Sequence, residues 1–231
     1  MNIQRISAIF EKDMRDFMKN MMLLVMPGIP IAMALLYGQL GEDAVPIEMI
    51  YIIVGSAFSA VTSAIMMTMM AEENEKNTLR GLIQSPASFV DILIGKSLVT
   101  AIITFVALTI SLVIIDIDPF LDFRVMIGLL LLFLFFLLLG IGIGLFSNTL
   151  ASTSVYLMPV MFLFGFTPLY TSLGVFDEDS IITTIFSYFP ILQAIEIHDS
   201  SSWLPLGILS LWVIGSAIFV IICFKKTTTD D

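Results

Sequence analysis

The residues most able to do chemistry are few and far apart. Gly95-Lys96-Ser97 ends like a phosphate-binding loop, but the pattern GxxxxGK[ST] needs glycine where Val90 stands, so no nucleotide site is expected. Glu72 and Glu73 pair two carboxylates with no histidine partner. The single His198 cannot build a two-histidine zinc site and reads as an exposed or locally hydrogen-bonded residue. One cysteine, Cys223, excludes a disulfide within the chain and a cysteine metal site, and reads as a small buried apolar residue. No catalytic centre, metal site or cofactor site is expected, and if the chain takes part in an energised process, the energy must come from another polypeptide.

The elements that would have to position such residues are membrane helices. The chain has 231 residues, 58% of them hydrophobic and 13% charged, where soluble domains carry about 25% charged residues. Mean hydropathy is +1.01. The apolar residues come in runs of roughly twenty, the length a helix needs to cross a bilayer core of about 30 Å. A barrel would instead show short alternating segments. The fold class is therefore all-α, a polytopic membrane protein with six transmembrane helices.

Residues 1–20 read as an amphipathic interfacial helix. Ile3, Ile6, Phe10, Met14 and Phe17 share one side, and Arg5, Lys12, Arg15 and Lys19 another. With acids among the basic residues, this stretch is not a convincing signal peptide, and cleavage is not expected. The six-span unit covers 21–224, with spans near 21–40, 49–71, 93–115, 124–146, 153–173 and 203–224, and 225–231 is a short tail. Pro27 and Pro30 predict a kink in the first span. The second carries Gly55, Ser59 and Ser63 four apart, and the fourth Gly140 and Gly144; small residues at this spacing let helices approach closely, within the subunit or between subunits. Span interiors are expected to hold no Asp, Glu, Lys, Arg or His. That argues against proton- or sodium-coupled transport and against a charged-ring channel.

Residues 177–202 hold acids around a proline-broken apolar stretch too short to span, which predicts an outer re-entrant hairpin. Lys and Arg fall almost wholly on one set of loops, with Arg124 alone on the other, so both termini and the segment 72–92 are expected in the cytoplasm. The outer loops are acidic, with Glu42, Asp43, Asp177, Glu178 and Asp179 among them, and read chiefly as a solvated surface. From Glu73 to Ile83 the residues favour helix, with Leu79, Leu82 and Ile83 on one face and Glu72, Glu75, Lys76 and Arg80 available for polar contacts; Ser85-Pro86 ends it. A short stiff helix between two spans can transmit a push.

This central stretch resembles a signature of ABC-2 type permeases, the membrane subunits of bacterial ATP-binding-cassette exporters. The matching residues are Glu73, Glu75, Lys76, Thr78, Leu79, Leu82, Ser85 and Pro86, then Ile92, Leu93, Gly95 and Lys96. Tyr188-Phe189-Pro190 looks like the proline motif of that family's outer hairpin, a candidate outer gate. Asn77 and Arg80 depart from the common pattern, glycine and an acid being usual there. The resemblance implies a coupling helix seated in a groove of a partner ATPase, which alone holds ATP and Mg. It implies assembly of two ATPase subunits with two permeases, the second a copy or a paralogue, in the lipid of a bacterial cytoplasmic membrane; no nucleic-acid partner is expected. Permeases of this size are similar to exporters of drugs or of membrane-active peptides such as phenol-soluble modulins. The fifteen methionines and nineteen phenylalanines then line a pathway or simply pack and face lipid. The alternative is a non-transport immunity or sensor protein whose central loop binds a regulator.

Overall fold

The computed structural model describes residues 3–39, 45–76, 89–175 and 180–229. Among these every regular element is helical. The chain begins with α1 (Ile3–Lys19), and Asn20 starts the first span by accepting backbone bonds from Met22 and Leu23 on its Oδ1. That span is split into α2 (Met21–Val25) and α3 (Gly28–Gly38) at Met26-Pro27, the kink expected from a proline that lacks an N–H. Then come α4 (Ile47–Glu75), α5 (Phe89–Ile115) and α6 (Phe123–Phe146), the last capped by Asp122 through the N–H groups of Arg124 and Val125. The remaining elements are α7 (Leu150–Gly165), α8 (Thr167–Ser172), α9 (Ile181–Ser187), α10 (Pro190–Asp199) and α11 (Leu204–Thr229).

Five stretches among the described residues are long and apolar enough to cross a membrane: Met21–Gly38, Ile47–Glu75, Val90–Ile115, Phe123–Phe146 and Leu204–Thr227. The expected span at 153–173 is not one helix. Pro159 and Pro168 each remove a donor from its ladder, the turn Met161–Gly165 widens to a π-helix with Phe166 N–H on the Met161 carbonyl at 2.8 Å, and the chain breaks at Phe166 before α8. At the expected hairpin, α9 and α10 form a pair bent by 77°, the geometry of a broken span, which would be a sixth crossing, or of a re-entrant loop.

The second span, α4, is the centre of the molecule, with 94% of its apolar window buried within the chain. Its small residues are spent on intramolecular contacts. A Cβ on Gly140 would stand 2.9 Å from the Ser63 carbonyl oxygen, and one on Gly144 2.6 Å from the Cβ of Met70. Ser63 Oγ also donates to the Phe136 carbonyl at 2.8 Å, so α6 lies against α4 with almost no side chain between them. Gly142, on the opposite face of α6, accommodates Phe219 of α11. At the other end of α4, a Cβ on Gly55 would overlap the Gly165 carbonyl, 1.9 Å away, so the π-helical turn of α7 crosses α4 backbone to backbone.

The packed face of α1 differs from the expected stripe, and the expectation of uncharged span interiors needs correction. The buried stripe of α1 is Ile6, Ile9, Asp13 and Phe17, packed on protein, while Ile3 is 78% exposed. The receiving surface is α5, where Gly95 lets Ile9 approach so closely that a Cβ there would lie 2.7 Å from its Cγ2. The third span does contain charge. Its helix starts at Phe89, so Asp91 and Lys96 sit inside it and are 2% and 1% exposed. Burying ions is costly unless they are paired, and α1 supplies the pairing for Lys96.

Candidate functional site

Of the residues singled out for docking, Glu73, Glu75 and Lys76 are described; Thr78, Leu79, Arg80, Leu82, Ile83, Ser85 and Pro86 lie outside the described residues, as do the acids Glu42, Asp43, Asp177, Glu178 and Asp179. The described three stand at the last turn of α4, where consecutive side chains reach in different directions. Successive residues of a helix are about 100° apart. Five in a row therefore reach everything around the helix.

Glu73 faces α1 and α5. Its Oε1 accepts from Lys96 Nζ at 2.8 Å and from Lys12 Nζ at 2.9 Å. Lys96 also donates to Asp13 Oδ2 at 3.0 Å, and Lys12 lies 3.4 Å from Asp13 Oδ1. Two ammonium groups and two carboxylates thus form a neutral cluster. The side chains of Lys96, Asp13 and Glu73 are 1%, 4% and 6% exposed, while Lys12 at 52% closes the cluster from outside. Burial pulls the Lys12 ammonium toward its neutral form, but the hydrogen bond and charge of Glu73, with Asp13 behind it, outweigh that and raise its pKa above the ordinary lysine value.

Asn74 faces the end of α6, where helix carbonyls have no partners of their own. Its Nδ2 donates to the carbonyls of Ser147 at 2.9 Å and Leu145 at 3.4 Å, and Thr227 of α11 caps Leu145 a second time at 3.3 Å. Glu75 faces α7, and its Oε2 accepts from the Leu150 N–H at 2.6 Å, placing a carboxylate on a helix N-terminus where the dipole favours it. Glu72 holds Lys76 one turn on, which raises the Lys76 pKa with help from the charge of Asp16 on α1. A cleft of about 260 Å³ remains between α1 and this turn, its polar wall including Asp16 and Asn20 and its apolar wall Phe17, Leu23 and Met69.

The arrangement binds and positions; it has no nucleophile poised against a base. Among the described residues, no group of three His, Cys, Asp or Glu side chains could hold a metal ion. What it does is join the last turn of α4 to α1, α5, α6 and α7 immediately before residues 77–88. Lys12, Asp13, Asn74 and Lys96 were not expected in this role. One signal pointed to Asp13: it sits on the i, i+3, i+4 stripe with Ile6, Ile9 and Phe17, where a lone charge needs a partner. The Gly95-Lys96 pair gains a physical reading, glycine admitting α1 and lysine fastening it.

Tyr188, Phe189 and Pro190 lie at the other end of α4, about 36 Å away by helix rise from Tyr51 to Glu75. Pro190 opens α10, Phe189 stacks on Phe186 and Phe164 with centroids 4.8 and 5.4 Å apart, and Tyr188 is 54% exposed. The break is fastened to α4 by Tyr51, whose buried hydroxyl donates to the Ala194 carbonyl at 3.1 Å and lies 3.0 Å from His198 Nε2. With the phenol proton on Ala194, the His198 Nε2–H is the donor to the phenol oxygen. His198 is thus locally hydrogen-bonded, and Cys223 is buried and free. Arg124 ties the start of α6 to the carbonyls of Ser200 and Ser202 and lies over the Trp203 ring.

Comparison with curated proteins returns no match. The family model described as ABC-2 family transporter protein matches residues 4–224, from the first turns of α1 to the end of the last span, and the chain belongs to that family of membrane permeases.

Proposed function

We propose that this chain is the permease subunit of an ATP-driven exporter, and that the last turn of α4 is where work from a partner ATPase enters the membrane helices. The observation that carries the reading is the set of ties from Glu73, Asn74 and Glu75 to α1, α5, α6 and α7. Residues 77–88 follow directly, and the excess of Lys and Arg on their set of loops supports a cytoplasmic position for them and for both termini. A displacement of that segment is handed to several helices at once. The ATPase supplies ATP and Mg chemistry; this chain supplies the moving parts. Two permeases, identical or related, enclose the pathway, and the substrate is an amphipathic or hydrophobic molecule, a peptide toxin or drug, moved outward across a bacterial cytoplasmic membrane.

The test is co-purification of the detergent-solubilised chain with its ATPase, before and after Leu79, Leu82 and Ile83 are replaced by charged residues. Binding that is lost in the variants, with substrate-stimulated ATP hydrolysis lost alongside, supports the reading. A chain that never binds the ATPase sinks it and leaves the immunity or sensor reading.

A further inference from the structure

At the break between α9 and α10 the carbonyls of Ser187 and Tyr188 lose the backbone bonds a continuous helix would give them. Two side chains take their place. Gln193 Nε2 donates to the Ser187 carbonyl at 2.8 Å, a bond from within the hairpin, and Trp212 Nε1 donates to the Tyr188 carbonyl at 2.8 Å, a bond from the last span. The Trp212 ring, with Phe164, also fills the angle between these elements: its centroid lies 5.6 Å from Phe135 of α6, 5.7 Å from Phe164 in the π-helical turn of α7, and 5.7 Å from Phe189 in the hairpin.

We propose that Trp212 is a positioning residue of the transport cycle, a latch whose indole N–H holds the Tyr188-Phe189-Pro190 break shut against α11 until α7 moves. This rests on the reading of the hairpin as the outer gate. The mechanical route is on both sides of the latch. At one end α7 is fastened to the last turn of α4 through Leu150 and Glu75, and at the other its Gly165 is wedged against Gly55, with Ile191 of α10 2.7 Å from where a Gly55 Cβ would be. The Phe164 ring, stacked on Phe189 at 5.4 Å, rides on that same π-helical turn. A shift of the turn pulls Phe164 away from Phe189 and Trp212 and leaves the Trp212–Tyr188 bond as the tie to the last span, with Tyr51 still holding Ala194 on the α4 side.

The test uses the full permease with its ATPase in right-side-out vesicles. Thr167 is fully buried in α8 between α4 and the hairpin and serves, as Thr167→Cys in a Cys223→Ala background, to report opening to an impermeant maleimide added outside. Trp212→Phe keeps a ring and deletes the N–H. The expected result is labelling without nucleotide that is roughly two- to tenfold faster than in the parent, the worth of one net hydrogen bond, with raised substrate-free ATP hydrolysis, unchanged ATPase binding, and partial rescue by Trp212→His, which restores a ring N–H. Unchanged labelling in Trp212→Phe overturns the latch, even if Trp212→Ala labels fast, because the N–H then holds nothing. Thr167→Cys that reacts only with reagent delivered from inside overturns the gate reading itself. Should Trp212→Phe fail to fold, Trp203→Phe leaves Trp212 as the sole tryptophan of the permease chain. Its emission is expected to shift on nucleotide binding, and emission that stays constant through turnover overturns the latch.

Discussion

Replacing Lys96 by methionine removes one of two cations from the neutral cluster and leaves Asp13 and Glu73, 4% and 6% exposed, sharing only Lys12. Breaking a buried ion pair by deleting one partner costs about 3–5 kcal/mol, because the surviving charge stays desolvated. Lys12 remains on Glu73 Oε1 at 2.9 Å and is itself half exposed, so the lower end, about 3 kcal/mol, applies. For a chain of this size that is a fall in melting temperature of about 6–12 °C. The double variant Lys96→Met/Asp13→Asn removes one charge of each sign and leaves the Lys12–Glu73 pair, so it is expected to recover about 2 kcal/mol of the loss, a coupling in the range found for contacting residues. Melting of the detergent-solubilised chain followed by intrinsic fluorescence measures all three. If Lys96→Met melts within about 2 °C of the parent, or if the second substitution adds to the loss instead of reducing it, the cluster is not a mutual charge compensation and the argument for α1 as a fastened element falls.

Glu75→Gln weakens a charge-assisted bond to the Leu150 N–H by about 1 kcal/mol, and ATP hydrolysis should become less responsive to substrate while ATPase binding, read by co-purification, is retained. Gly144→Val should destabilise by about 1–3 kcal/mol because the Met70 Cβ and Met67 backbone leave no room, whereas Gly215→Ala, with nothing within 4 Å, should be neutral or mildly stabilising; thermal melting separates the two. The Lys12 pKa is raised on folding, so its hold on α1 is complete below the ordinary lysine value of 10.5 and is lost as pH rises through the raised value. Hydrogen exchange of α1 should therefore be unchanged across neutral pH and accelerate, beyond base catalysis alone, only in strong alkali, a step that Lys12→Met abolishes.

The helices were legible because their physics is one-dimensional: a run of apolar residues of bilayer length needs no partner to be recognised. Small residues four apart were legible for a related reason, since only close backbone approach uses them, although which helix fills the gap is a tertiary fact. Gly140 and Gly144 meet α4 and Gly142 meets α11. The break in α7 was not legible, because prolines are tolerated within membrane helices whenever neighbours satisfy the freed carbonyls, and hydropathy is blind to those neighbours. Charge counting had a subtler failure. It used Lys96 only as a marker of side, and a residue counted for its sign is not asked for its partner; that partner, Asp13, lies 83 positions earlier.

The junction also bears on how a short segment can move a helix bundle. If residues 77–88 were joined to α4 alone, a push would meet one helix free to bend or slide against its neighbours, and much of the displacement would be taken up locally. Here the last turn of α4 is cross-linked by ion pairs to α1 and α5, by amide caps to α6 and by a carboxylate to the first N–H of α7. Three of these contacts use charged groups, and in the Lys96–Glu73 pair both partners are nearly inaccessible to water, so salt screens it little. The compliant point is then displaced away from the junction, to where the hydrogen-bond ladder departs from the α-helix: the π-helical stretch Ala57–Ser63 within α4 and, packed on it, the π-helical turn Met161–Gly165 of α7 with the break at Phe166. That turn is also the place where α7 touches both α4 and the hairpin, so stiffness at one end of the molecule and compliance at the other direct a push toward the Tyr188-Phe189-Pro190 break.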